Sequence, residues 1–282
     1  MQFTRLFAFA FFLLAPHVAP AASPETVRFP SADGRTELLG YLFKPEAAGP
    51  HPAIVMLHGR GGPYSSLKRG TYTGETLTMR HRMWGEFWAS RGYVALHVDS
   101  FGPRGYWDGF PKHSYSQRPP EVSEQFVRPL DAYGALAYLR TRGDVLAERI
   151  GLHGWSNGGM TLLSAMATDG VAGDATIRGG FRAALAQYPS CRTQIKQPTY
   201  RPYAPLLILA ASDDDEVSPY VCRDFAELMR GRGSSVEFVL YEGAHHAYDD
   251  PGKTKQSHPP NRAALQDSLS RAEAFFAQHL KP

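Results

Sequence analysis

"RIGLHGWSNGGMTLLSAMA", Arg149–Ala167, decides how the rest of this 282-residue chain is read. The stretch opens with a short apolar run, passes through a turn with glycines on both sides of one serine, and continues in a helical pattern. Gly154 and Gly158 flank Ser156 two residues away on each side. This is the G-x-S-x-G arrangement, and a strand before it and a helix after it are the setting it requires. The reason is crowding. Where a strand reverses sharply into a helix, side chains two before and two after the serine meet backbone, and glycine removes them. The turn lifts the Ser156 hydroxyl above the sheet, at a helix N-terminus that favours developing negative charge. A merely structural glycine turn has the same five residues, so the rest of the chain must separate the two readings.

Outward from this stretch, the chain alternates two patterns. "HPAIVMLHG", "YVALHVDSFG", "RAALAQYPS", "APLLILAAS" and "SVEFVLYEG" are short apolar runs ending near glycine or serine. They suit strands buried on both faces, as in a largely parallel sheet. "TVRFPSADGRTELLGYLFKP" alternates in polarity around a Asp33–Gly34 turn and predicts an N-terminal hairpin. Helical patterns lie between the runs. "RPLDAYGALAYLRTR" sets Leu130, Tyr133, Leu136, Ala137 and Leu139 along one side. "GGMTLLSAMATDG" starts at the serine turn, "SPYVCRDFAELMRGRG" starts at Ser218–Pro219, and "NRAALQDSLSRAEAFFAQHL" closes the chain. Strands alternating with helices predict an α/β fold with a doubly wound, mostly parallel sheet and helices on both faces. The segments 59–82 and 102–124, rich in Gly, Pro, Tyr, Arg and His, read as loops over strand carboxyl ends, where such sheets place ligands.

Composition sets further bounds. "MQFTRLFAFAFFLLAPHVAPAASPE" has a positive residue, Arg5, then the apolar run Leu6–Ala15, then small residues at Ala19–Ala21. That is the pattern of a signal peptide over residues 1–21, removed on export to a periplasm or outside the cell. The alternative is a retained anchor, but the run is short of the roughly 20 apolar residues a spanning helix needs. Residues 22–282 then suit a single α/β catalytic domain. The formal charge of +3 and the absence of a Lys/Arg run give no reason to expect nucleic acid. Cys191 and Cys222 are the two cysteines, and export makes a disulfide between them the natural expectation, with unpaired thiols the alternative. Nothing flanking them has metal-ligand spacing, H-E-x-x-H is missing, and His245–His246 is poorly spaced for one helix face; no metal and no cofactor are expected.

A serine hydroxyl needs a base to take its proton and a carboxylate to orient that base. Both occur here, in the order Ser, Asp, His used by α/β-hydrolase sheets. "LILAASDDDEVSP" carries acids after one predicted strand, and "FVLYEGAHHAYDD" carries histidines after the next. Asp213, Asp214 and Asp215 are not separated by this pattern, nor are His245 and His246.

Taken together, "HGRGG" (58–62), "DSFGPRG" (99–105), "GWSNGG" (154–159), "ASDDDEVSP" (211–219) and "YEGAHHAY" (241–248) resemble the dienelactone hydrolase family of α/β-hydrolases. The resemblance runs from about Val27 to the C-terminal helix. It implies the α/β-hydrolase fold and cleavage of a carboxylic ester or lactone. It selects Asp214, three residues before Val217, as the acid, and His246 as the histidine. One departure is plain. Members best known for dienelactone cleavage carry cysteine where this chain has Ser156, which leaves ester chemistry in place and the particular substrate open.

The expected mechanism follows from those residues. His246 takes the Ser156 proton, Asp214 orients the imidazole, and an acyl-enzyme forms that water releases. The backbone N–H groups of Asn157 and Arg60 are the expected oxyanion donors. Arg104 and Arg60 are expected as clamps for a substrate carboxylate. Tyr64, Trp107, Tyr115 and Tyr188 are expected as pocket walls. A Cys191–Cys222 bridge would stiffen the loop carrying Asp214. The partner is a small ester or lactone. A peptidase or acyltransferase using the same triad, and a non-catalytic binding protein on the same fold, are the competing readings.

Overall fold

The computed structural model describes residues 23–170 and 179–281. The signal-peptide reading of residues 1–21 lies outside them. The strands are β1 (Glu25–Pro30), β2 (Glu37–Phe43), β3 (His51–Leu57), β4 (Val94–Asp99), β5 (Val145–Trp155), β6 (Ala184–Gln187), β7 (Leu206–Ala211) and β8 (Val236–Tyr241). The helices are α1 (Met79–Ser90), α2 (Arg128–Arg140), α3 (Asn157–Ala165), α4 (Pro219–Gly231), the short α5 (Lys253–Gln256) and α6 (Pro259–Leu280).

All eight strands form one sheet in the order β1-β2-β4-β3-β5-β6-β7-β8. β1 and β2 make the hairpin, β2 joins β4 antiparallel, and every later pair is parallel. The sheet is therefore mostly parallel, as the double-sided burial of its strands requires. β4 and β5 lie on opposite sides of β3, so the chain reverses direction across the sheet there. The crevice above that reversal is where open α/β sheets bind ligands.

Alternation along each strand builds two cores. On β3, Ala53, Val55 and Leu57 join the cluster under α2, α3 and α4, with Leu136, Leu162 and Phe225. Ile54 and Met56 point to the other cluster, under α1 and α6, with Trp84, Trp88, Phe275 and Phe276. Burying side chains of this size is worth about 1.5–3 kcal/mol each. This is the force that presses helices onto both faces.

α1 corrects the reading of residues 59–82 as a loop throughout. Met79–Arg82 is the first turn of a helix capped by the Thr78 hydroxyl, which accepts from His81 N–H. Its buried face is His81, Trp84, Gly85 and Trp88, of which only two are large and apolar. The helical period was therefore hidden by a histidine and a glycine. The rest of that segment, and residues 102–124 apart from short 3-10 turns, are loops beyond the ends of β3 and β4.

Cys191 and Cys222 form a disulfide with Cα atoms 5.1 Å apart. It ties the segment after β6 to α4, the helix that follows the acidic loop. Among the described residues, no helix is long and apolar enough to cross a membrane.

Candidate active site

Ser156 sits between the last residue of β5 and the first of α3 with φ 51° and ψ −114°, a strained conformation for a residue bearing a Cβ. The strain is held from both sides. Ser156 N–H donates to Gln187 O on β6 at 2.9 Å, and its carbonyl accepts from Met160 N–H at 2.9 Å. The flanking glycines are forced by contact. A Cβ on Gly158 would lie 2.0 Å from Leu57 O, and one on Gly154 would lie 2.4 Å from Gly158 O. The turn thus closes directly against the end of β3.

Two loops bring partners to this serine. In the loop after β7, Asp214 Oδ1 accepts from Glu216 N–H at 2.8 Å and Val217 N–H at 2.9 Å, which aims the other oxygen outward. That oxygen, Oδ2, is 2.7 Å from His246 Nδ1. In the loop after β8, His246 Nε2 is 3.0 Å from Ser156 Oγ. Lys255 Nζ donates to His246 O at 2.7 Å, and the Tyr188 ring packs edge-on against the imidazole at 4.7 Å. Asp214 and His246 are nearly buried. Of the other acids, Asp213 accepts from the Ser212 hydroxyl and Asp215 pairs with Lys112. His245 stacks on His258 at 4.3 Å instead of turning to the serine.

The two segments that carry the expected oxyanion donors both adjoin Ser156. Asn157 is the first residue of α3, where an N–H has no intrahelical acceptor. A Cβ on Gly59, next to Arg60, would lie 3.5 Å from Ser156 Cβ, so this loop runs beside the serine.

A cleft of about 440 Å³ opens over Ser156. Arg60, Tyr115, Arg118, Met160, Arg192 and Glu216 are among its lining residues. The Arg60 side chain is already engaged: it makes a two-pronged pair with Glu216 at 2.8 and 2.9 Å and donates to Phe110 O. Burial alone would raise the Glu216 carboxyl, but hydrogen bonds from Arg60 and the charges of His246, Arg60 and Lys112 hold it at about 2. Glu216 lies 3.9 Å from His246 Nε2, so a fixed negative charge stands beside the imidazole. Glu216, Arg118 and Arg192 escaped the sequence reading. Glu216 stands two residues after Asp214, the one local signal that pointed to it.

Three expectations about the pocket are corrected. Arg104 is not a clamp at the mouth. Its guanidinium is spent on Asp131 (two bonds at 2.8 Å), Asp33 (3.0 Å) and Ser100 O (2.8 Å). Tyr64 is not a wall residue; its hydroxyl is buried against Asp99 at 2.9 Å and the Tyr41 hydroxyl at 2.6 Å, and Trp107 packs beside it. Tyr188 is buried behind His246 with its hydroxyl 2.5 Å from Asp249 Oδ1. Loop aromatics and arginines of this kind satisfy buried partners first, because an unpaired buried charge is costly. Tyr115 does line the cleft.

Comparison with known proteins adds family and fold. The family model described as "Dienelactone hydrolase family" matches residues 38–280. Human dipeptidyl peptidase 8 is 31% identical over 150 residues, covering 51% of this chain but only 15% of that protein. A Bradyrhizobium protein named "Probable 2-oxo-3-(5-oxofuran-2-ylidene)propanoate lactonase" is 24% identical over 217 residues, 75% of this chain and 79% of that one. Among solved structures, Thermogutta terrifontis esterase 2 phosphorylated by paraoxon superposes with a TM-score of 0.65 at 22% identity, covering 95% of this chain and 100% of that chain. The likeness to that esterase is one of fold.

Proposed function

The chain belongs to the dienelactone hydrolase family, and from that premise we propose that it is an exported serine hydrolase of carboxylic esters or lactones. The observation that carries the reading is the relay from Ser156 Oγ to His246 Nε2 at 3.0 Å and from His246 Nδ1 to Asp214 Oδ2 at 2.7 Å. As Ser156 attacks the carbonyl, His246 accepts its proton, and Asp214 fixes the tautomer and stabilises the imidazolium. The Asn157 and Arg60 N–H groups receive the oxyanion. The imidazolium gives its proton to the leaving alkoxide, an acyl-Ser156 remains, and His246 then activates water to release the acid. For a lactone the leaving alkoxide stays attached to the acyl group, so ring opening and deacylation yield one hydroxy acid. Export to a periplasm or beyond is supported by the Cys191–Cys222 disulfide and the leading apolar run.

The first test compares turnover of a short-chain nitrophenyl ester, then of a lactone panel, by the mature chain and its Ser156→Ala variant. The expected outcome is several orders of magnitude lost in the variant. Equal rates in the two proteins would remove Ser156 as nucleophile, and labelling by a serine-directed organophosphonate separates an enzyme with an unfound substrate from a binding protein. The likeness to dipeptidyl peptidase 8 favours one second reading, a peptidase with the same triad. A dipeptide nitroanilide cleaved faster than every ester would select it.

A further inference from the structure

Arg128, at the start of α2, is fully buried. Arg60, Arg104 and Arg142 are each paired with a carboxylate at under 3 Å. Arg128 spends its hydrogen bonds differently. One terminal nitrogen donates to the His58 carbonyl at 2.8 Å and the other donates to Asn157 Oδ1. Its guanidinium lies 4.8 Å above the Phe101 ring. Asn157 is held from its other side as well, because its Nδ2 donates to Glu124 Oε2 at 3.3 Å. Glu124 in turn accepts from the Tyr115 hydroxyl at 2.6 Å on the cleft wall.

Burying a cation costs several kcal/mol, and a structural arginine normally recovers this from a carboxylate. Arg128 instead grips one oxygen from each of two segments that meet at Ser156. His58 opens the loop that leads through Gly59 to the Arg60 N–H. Asn157 supplies the other N–H. Burial brings the Arg128 guanidinium down to about 10, opposed by Asp131 and Glu124, so it stays charged at neutral pH.

The geometry points to Arg128 as the positioning residue of the oxyanion hole: one buried guanidinium sets the spacing between the two donor N–H groups and places a fixed positive charge behind them. This rests on reading Ser156 as the nucleophile. Oxyanion donors work at 2.7–3.1 Å from the developing charge, and a displacement of about 1 Å costs up to about 100-fold in rate. Substrate binding in the ground state, before the oxyanion exists, does not depend on that spacing.

The experiment uses the full mature chain with Arg128→Met, which keeps length and removes charge, and Arg128→Lys, which keeps charge and loses the fork. Each is read for kcat and KM on a nitrophenyl ester, affinity for a trifluoromethyl ketone that forms a hemiketal oxyanion, and the fraction of sites labelled by an organophosphonate. Expected for Arg128→Met is kcat down 10- to 100-fold with KM within about threefold, ketone affinity down by the same factor as kcat/KM, and partial recovery in Arg128→Lys. A lower labelled fraction with unchanged kcat per labelled site marks a purely structural residue and overturns the inference. So does a rise in KM with kcat unchanged, or wild-type kinetics.

Should Arg128→Met not fold, Asn157→Ala decides. It cuts one of the two ties while leaving the backbone N–H, and a fall in kcat and ketone affinity together supports the inference while unchanged values overturn it. The Ser156→Ala control keeps the failures distinct: if that variant retains activity, the nucleophile reading falls first and takes this inference with it.

Discussion

Ser156, Asp214 and Arg104 show how differently single residues are determined. Ser156 is placed by steric exclusion around it. A Cβ at residue 158 has only 2.0 Å to a β3 carbonyl, so Gly158→Ala must push α3 away from β3. We expect that variant to lose both Tm and labelling of Ser156 by an organophosphonate, measured on the same sample. Asp214 is distinguished from its two neighbours by its tertiary surroundings, being buried and in 2.7 Å contact with His246. Asp214→Asn should lower kcat by about 10⁴-fold, as expected when the imidazole loses its orienting carboxylate. Asp213→Asn and Asp215→Asn should stay within a few-fold of wild type in the same assay. Arg104 is a structural cation. Arg104→Ala leaves the fully buried Asp131 without its partner and should cost about 3–5 kcal/mol by urea unfolding. If Arg104→Ala instead kept its stability and raised KM, the mouth-clamp reading would return.

Elements carry the site by their ends. β5 and α3 present the serine, and the loops after β7 and β8 present the acid and the histidine, so three parallel strands of one sheet deliver all three groups to one side. The Cys191–Cys222 bridge closes 31 residues of chain and braces α4 against the segment after β6. Removing it as Cys191→Ser/Cys222→Ser should cost about 2–4 kcal/mol in unfolding free energy. Because the pair lies in the core under α4, its loss should also show as faster hydrogen exchange across residues 213–231. Unchanged exchange there would mean that hydrophobic packing alone fixes the acid's loop.

At the scale of the whole molecule, the sheet buries an unusual set of histidines. His58, His81, His97 and His153 are fully buried and neighbour one another or the tryptophans packed on the same sheet face. Burial is the main cause that holds each below the ordinary histidine range, and His97 is brought down to about 3. Between about pH 3 and 6.5 the unfolded chain therefore binds more protons at His97 than the folded chain does. The stability present above pH 6.5 is lost as pH falls through that window, at roughly 1 kcal/mol per pH unit for this residue. Urea midpoints at pH 7 and pH 5 should differ less in His97→Asn, which does not titrate there, than in wild type. Equal differences would mean that His97 titrates alike in the folded and unfolded chain.

What the sequence determined by itself was local or ordered along the chain: the hairpin, the short apolar strands, the glycine-flanked turn at Ser156, and the order of serine, acids and histidines. Each depends on contacts within a few residues or on a period that burial imposes. α1 was lost where His81 and Gly85 occupy buried helical positions, since neither advertises burial by hydrophobicity. The tertiary structure decided the partners of long polar side chains. Arg104 meets Asp33 across 71 residues, Arg60 meets Glu216 across 156, and Arg128 meets His58 across 70. Chain folding chooses among many carboxylates and carbonyls for such charges, and the choice follows from which strand ends the sheet order brings together. The elbow could be read in nineteen residues because its constraints are steric and adjacent, whereas the pocket around it exists only once distant loops have met.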